Sequence, residues 1–140
     1  FAHNAGEILF NDSSQTSTLL YSAAMNFNNF TVSTGGKAME FDNVDQTNIG
    51  GILSIQGSGC GTGRIFLDSD VNDQVWEINA TSTVDIDFVE VEDSNAITAL
   101  TANSSTQVND SNTNWTINAG TCVTHTQIRG GTKIQGGTKL

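Results

Sequence analysis

"STVDIDFVEVEDSNA", residues 82–96, decides how this chain is read. Val84, Ile86 and Phe88 alternate with Asp85 and Asp87, so on an extended strand the apolar set faces a core and the acids face water. Val89 then follows Phe88 directly, and alternation resumes one step out of phase with Glu90, Val91 and Glu92. Two adjacent inward residues between alternating stretches predict a corner, where the strand turns while staying on the same core. A flat β-sandwich strand rarely needs such a corner. A solenoid that bends from one sheet into the next needs one every turn.

Short β-patterned runs surround this stretch, separated by Gly, Asn, Asp and Ser. "NFTVST" (29–34), "KAMEFDNV" (37–44), "GILSIQG" (51–57), "GRIFLDSD" (63–70), "QVWEINAT" (74–81), "AITALTA" (96–102) and "NWTINAG" (114–120) are the clearest. "LLYSAAMNF" (19–27) comes closest to an apolar stripe at helical spacing, and it is short. The 140 residues suit one domain by length. Only 14% are charged and Pro is absent, which argues against disorder and for strands joined by polar turns. The predicted fold is all-β: a right-handed parallel β-helix (solenoid) of about five to six short rungs, each of roughly 20–25 residues, with a β-sandwich as the alternative. Residues 1–125 would form this body and 126–140 a basic, Gly-rich repeat tail.

"VWEINATSTVDIDFVEVEDSNA" and the following "ITALTANSSTQVNDSNTNWTI" resemble a module of secreted and surface-exposed bacterial and metagenomic proteins. The shared pattern is W-x-[I/L]-x-x-T-x-x-V-x-[I/V]-x-[Y/F]-V-x-V-x-D-S, a Thr/Asn-rich rung, then an Asp/Asn turn into N-W. "FNNFTVSTGG" and "GILSIQGSGCGTGRIFLDS" look like earlier rungs of it, so the resemblance covers roughly residues 26–118. It implies a right-handed parallel β-helix serving as a spacer, stalk or scaffold, and it implies little about chemistry.

Bulk charge narrows the partners. A formal net charge of −10 makes nucleic acid a poor partner, because phosphate binding needs a basic face. No run of 18 apolar residues exists to span a membrane as a helix. The chain begins at Phe1, which fits either removal of a leader or a fragment of something longer. Cys60 and Cys122 match no metal-binding spacing; a disulfide between them in an oxidising compartment and two separate buried thiols are both open readings. Asn-x-Ser/Thr sequons stand at Asn11, Asn29, Asn79, Asn103, Asn109 and Asn114, a modest excess that suits a secreted glycoprotein.

The residues present fit no catalytic pattern of such folds. Proteins resembling polygalacturonases use an N-T-D, D-D, G-H-G, R-I-K series; here there is no Asp-Asp pair, and His3 and His125 lie in no Gly-His-Gly. Only Lys37 and Arg64 lie outside the tail as bases for a lyase-type site, and no nucleophile-elbow motif occurs. The expectation is a protein that is not an enzyme and holds no cofactor, with calcium the one possible ion. "DSDVND" (68–73) starts like an oxygen-rich calcium loop, offering Asp68, Asp70, Asn72 and Asp73. Asp73 then stands where such a loop needs Gly, and a solvated turn explains the same residues. Trp76 and Trp115 read as core or cap residues rather than a sugar-stacking platform.

The strongest asymmetry is at the end. All 15 acids lie at or before Asp110, so the first 128 residues carry −13 and the last twelve carry +3. "TQIRGGTKIQGGTKL" (126–140) repeats a T-x-[I/L]-x-G-G unit that sets Ile128, Ile134 and Leu140 on one side of an extended strand. Arg129, Lys133 and Lys139 flank them. Such a strand suits addition to an exposed sheet edge of a neighbouring copy, with Asp85, Asp87, Glu90 and Glu92 as the acidic counterpart. Folding back on its own body, or continuing in a longer parent, are the competing readings. The expected function is a non-catalytic structural subunit of an extracellular filament, sheath or fibre at the cell surface, self-assembling into a homopolymer by end-to-end β-stacking and tail strand addition. The alternative is a carbohydrate-binding or adhesive module of a larger surface or phage-fibre protein, and a polysaccharide-cleaving enzyme is third.

Overall fold

A computed structural model describes residues 6–108 and 112–120. Fourteen strands follow one another: β1 (Glu7–Phe10), β2 (Ser17–Leu19), β3 (Met25–Phe27), β4 (Asn29–Val32), β5 (Ala38–Phe41), β6 (Thr47–Ile49) and β7 (Ile52–Gln56), then β8 (Ile65–Ser69), β9 (Trp76–Ala80), β10 (Thr83–Asp87), β11 (Val89–Glu92), β12 (Ser94–Asn103), β13 (Thr106–Val108) and β14 (Thr113–Asn118). A single 3-10 turn at Gly61–Gly63 is the sole helical element among the described residues. "LLYSAAMNF" is not helical; it leads into β3. The runs read from sequence each hold a strand, while β1, β2, β3, β6 and β13 are only three or four residues long, too short to show a period.

All pairings between these strands are parallel. Sheet A runs β1-β4-β7-β10-β12-β9-β6-β3, with β14 added on β12, and sheet B runs β13-β11-β8-β5-β2. Both the solenoid of five to six separate rungs and the β-sandwich are therefore corrected. A sandwich of the expected kind would be antiparallel. A solenoid would keep the β1-β4-β7-β10 and β3-β6-β9 ladders as separate faces, whereas here β12 pairs with both β10 and β9 and fuses them. The result is one nearly closed, barrel-like parallel sheet with a second parallel sheet beside it. Its two ends, β1 and β3, lie on either side of the Phe27–Asn28–Asn29 bend, because β3 leads straight into β4, the partner of β1.

Local chemistry explains where the sheet bends and where it fuses. Between β6 and β7 the chain turns at Gly50–Gly51, whose amides donate to the carbonyls of Phe27 (2.9 Å) and Asn28 (2.7 Å) in the layer beneath. A Cβ on Gly51 would sit 2.6 Å from that Asn28 oxygen, so only glycine lets the two bends stack. "SNAITALTAN" in β12 stays in strand conformation over ten residues and so spans both ladders, although its register to β14 shifts between Asn95 and Leu100. The corner predicted after Asp87 is present but differs in detail. Phe88 adopts a left-handed backbone (φ +51°) and is half-buried, so it forms the corner itself instead of pairing inward with Val89. Its carbonyl receives the amide of Ile65 (3.0 Å) and backs onto Gly57, where a Cβ would collide with it.

Both sheets enclose one core. Phe30, Leu53, Ile55 and Ile86 come from one half of sheet A, Trp76 and Ile78 from the other, and Met39, Phe41, Ile65, Leu67, Val89 and Val91 from sheet B. A chain of rings runs through it, Phe10–Phe30 and Phe27–Phe30 at 5.5 Å, Phe30–Phe41 at 6.1 Å and Phe41–Trp76 stacked at 4.1 Å. Trp76 is fully buried, and its indole N–H donates to the Glu92 carbonyl (2.8 Å), satisfying the polar end of an apolar residue.

Candidate functional site

Three surfaces carry chemistry: the strand edges, an acidic stack and a polar groove. The first three strands all lie at sheet edges, β1 and β3 at the ends of sheet A and β2 at one end of sheet B. Their inward side chains, Ile8, Phe10, Leu19 and Met25, pack on the core but are only partly buried, and Leu9 and Leu20 are exposed. At the other end, β13 closes sheet B and β14 lies outside β12. There the layers taper. From Glu77 to Asp87 the chain takes ten steps, from Asn95 to Asn103 eight, and from Thr113 to Asn118 five, while covering the same ladder positions.

The predicted acidic face is split by the Phe88 corner. Asp85 and Asp87 stand on sheet A, whereas Glu90 and Glu92 stand on sheet B. On sheet B, parallel register aligns Thr18 with Glu40 and Glu40 with Asp68, and continuing the β8–β11 register sets Glu92 beside Asp68. Burial, then the neighbouring charges of Asp68, Asp93, Glu90 and Asp73, pushes Glu92 above the usual glutamate range. Asp68 is likewise raised, first by burial, then by Asp93 and Glu40, against the opposing amide of Ser69 that its carboxylate accepts at 2.7 Å. The body's two basic residues are committed elsewhere in part: Lys37 is buried and donates to the Gln15 carbonyl (2.6 Å), and Arg64 lies 4.0 Å from Glu90.

The expected calcium residues do not converge. Asp68 belongs to the acidic stack, Asp70 accepts the amide of Asn43 (2.9 Å), and Asn72 donates to Asp73 (3.2 Å), whose backbone is left-handed (φ +60°). Among the described residues no three His, Cys, Asp or Glu side chains gather to hold a cation. Cys60 is disulfide-bonded, and the chain's other cysteine, Cys122, lies outside the described residues. So do sequon Asn109 and the tail residues Ile128, Arg129, Lys133, Ile134, Lys139 and Leu140. Of the other sequons, Asn11 is exposed, while Asn29 accepts the amide of Ile52 (2.9 Å) and Asn103 accepts the amide of the Asn118 side chain (2.8 Å). Asn114 donates to the Ala96 carbonyl (2.9 Å) and Asn79 donates to Asn48 (3.2 Å), so both side-chain amides already serve the fold. No helix among the described residues is long and apolar enough to cross a membrane.

The groove was not evident from sequence. It opens between β10 and β12, with a volume of about 440 Å³, lined by Thr81, Asp85, Thr98, Thr101 and Asn103 over Ala80, Val84 and Ile86. A second hollow of about 320 Å³ shares Thr81 and is walled by Asn26, Asn48 and Asn79. These three asparagines lie in register on β3, β6 and β9. Their one sequence trace is an Asn before an inward residue in "NF", "NI" and "NA", at spacings that the loops between layers make unequal.

No protein-family model matches the chain, and no curated protein or solved structure matches it. The resemblance to surface-protein modules therefore rests on the quoted residues alone.

Proposed function

We propose that this protein is a non-catalytic structural subunit of an extracellular filament, sheath or fibre, in which residues 126–140 of one copy add as a strand to the β1–β2–β3 end of the next. The carrying observation is that all three opening strands are edge strands, with outer backbone groups unpaired among the described residues. An edge of this kind accepts an added strand through backbone hydrogen bonds, and the half-covered Ile8, Phe10, Leu19 and Met25 supply apolar contact. Glu7 and Asp12, both exposed at this end, suit the tail's three positive charges. Tapering of the opposite end favours the tail over direct layer-on-layer stacking, since a five-step layer mismatches a wider one. Such a contact is heterologous and does not close on itself, so it yields filaments. The disulfide at Cys60 fits an oxidising, extracellular setting.

Negative-stain microscopy and sedimentation of the full chain and of a chain lacking 126–140 test this. Polymers from the full chain and folded monomers from the truncated one are expected. Equal polymerisation of both, or a monodisperse full-length monomer at high concentration, sinks the proposal.

A further inference from the structure

We infer that the groove between β10 and β12 is a binding site for an uncharged, hydroxyl-rich carbohydrate chain, a function separate from assembly. Its origin is a mismatch in step number. From Ile78 to Asp87 the lower layer takes nine steps around a bend at Thr81–Ser82, whereas β12 covers the same span from Ala96 to Asn103 in seven as one continuous strand. The strands splay in between: β10 shares five register pairs with β7 but only Asp87↔Asn103 with β12. A trough of about 440 Å³ results, within the size range of ligand sites.

The walls are polar and fixed. Thr98 donates its hydroxyl to the Asn79 side-chain oxygen (2.7 Å), and Asn79 donates to the Asn48 oxygen (3.2 Å). Asn48 lies in the adjoining hollow, so these two bonds anchor the groove's Thr98 wall to the neighbouring asparagine ladder. Thr81, Thr101 and Asn103 add hydroxyls and an amide that both donate and accept. Alternating donors and acceptors over an apolar base of Ala80 and Ala99 match a sugar, whose hydroxyls ring a carbon skeleton.

Two observations select the ligand class. No Lys or Arg lines either hollow, Asp85 lines one, and the chain carries −10, so uronic-acid and sulfated glycans are repelled. An added peptide strand is disfavoured because β10 and β12 already pair at Asp87↔Asn103 and the wall between them offers chiefly side-chain hydroxyl and amide groups.

The test is calorimetric titration of the full chain with cellohexaose and maltohexaose, with hexagalacturonate as the charged counterpart and a synthetic 126–140 peptide as the strand counterpart. Saturable binding of a neutral hexasaccharide is expected, weakened about tenfold by Thr101→Val and by Thr81→Val, each of which removes one hydroxyl from the wall. Thr81→Ala serves as a second variant should Thr81→Val unfold. No saturable binding of either neutral sugar, tighter binding of hexagalacturonate, binding of the peptide alone, or affinity unchanged in both wall variants overturns the site. Because it leaves the tail intact, this result is independent of whether the chain polymerises.

Discussion

The same corner of sheet A is built twice, in two ways. At Thr81–Ser82 the lower layer bends, and β9 and β10 are separate strands with separate neighbours. One layer higher, β12 passes the equivalent place as one unbroken strand, and the two ladders become one sheet. The core beneath does not change character: Ile78 and Ile86 are buried below, and Ala96, Leu100 and Ala102 above. The difference lies in volume. A shorter path encloses less space, so alanines replace the larger side chains. Closure of a parallel sheet can thus be a local property of one strand.

The largest test of this comparison is whether both layers rest on one core. Trp76 begins β9, pairs in register with Ser94 at the start of β12, and stacks on Phe41 of sheet B. Trp76→Ala should cost roughly 3–5 kcal/mol, read as a lowered urea midpoint in a single transition. Two transitions would show that the layers unfold independently, and the shared core would be wrong. A smaller effect separates the corners themselves. Ala99→Gly, inside the continuous strand β12, should cost about 0.5–1 kcal/mol through backbone entropy, while Ser82→Gly, at the bend, should cost only a few tenths. Equal losses would mean that β12 is no more dependent on an extended backbone than the bend is.

The legible part of this fold was the part written in periods. Val84, Ile86, Val89 and Val91 alternate with acids, and the structure buries Ile86, Val89 and Val91 while the acids face out. The break in phase announced the corner, though Phe88 occupies it with a left-handed backbone that alternation cannot reveal. Closure was illegible because it depends on register between distant strands. Nothing in "SNAITALTAN" states that Ala96 will meet Ile78 and Asn103 will meet Asp87, and the groove that follows from the unequal step counts was hidden for the same reason. The acidic face was misread as one surface since Asp87 and Glu90 are three residues apart in sequence yet stand on different sheets.

Sheet B offers the smallest and most specific test, because no strand there runs through a corner and register holds from β5 to β8 without a slip. Strict register stacks Met39 on Leu67 inside and Glu40 on Asp68 outside, like on like at both positions. Like charges directly opposite are destabilising by roughly 0.2–1 kcal/mol, so Asp68→Asn should stabilise the protein by about that much at neutral pH. The asparagine oxygen can still accept the Ser69 amide, which isolates the charge. The sign in pH follows from the raised Asp68 carboxyl. Its folded form holds a proton more tightly than the unfolded chain, so the wild-type penalty is complete above the folded value. As pH falls through that value toward the ordinary 3.8, the native state gains a proton first and the penalty fades. The advantage of Asp68→Asn should therefore shrink across the mildly acidic range and vanish below it, measured as the difference in urea midpoints at stepped pH. An advantage that grows on acidification would show that Asp68 is stabilised as a carboxylate, and that the outer stack carries a favourable partner in place of repulsion.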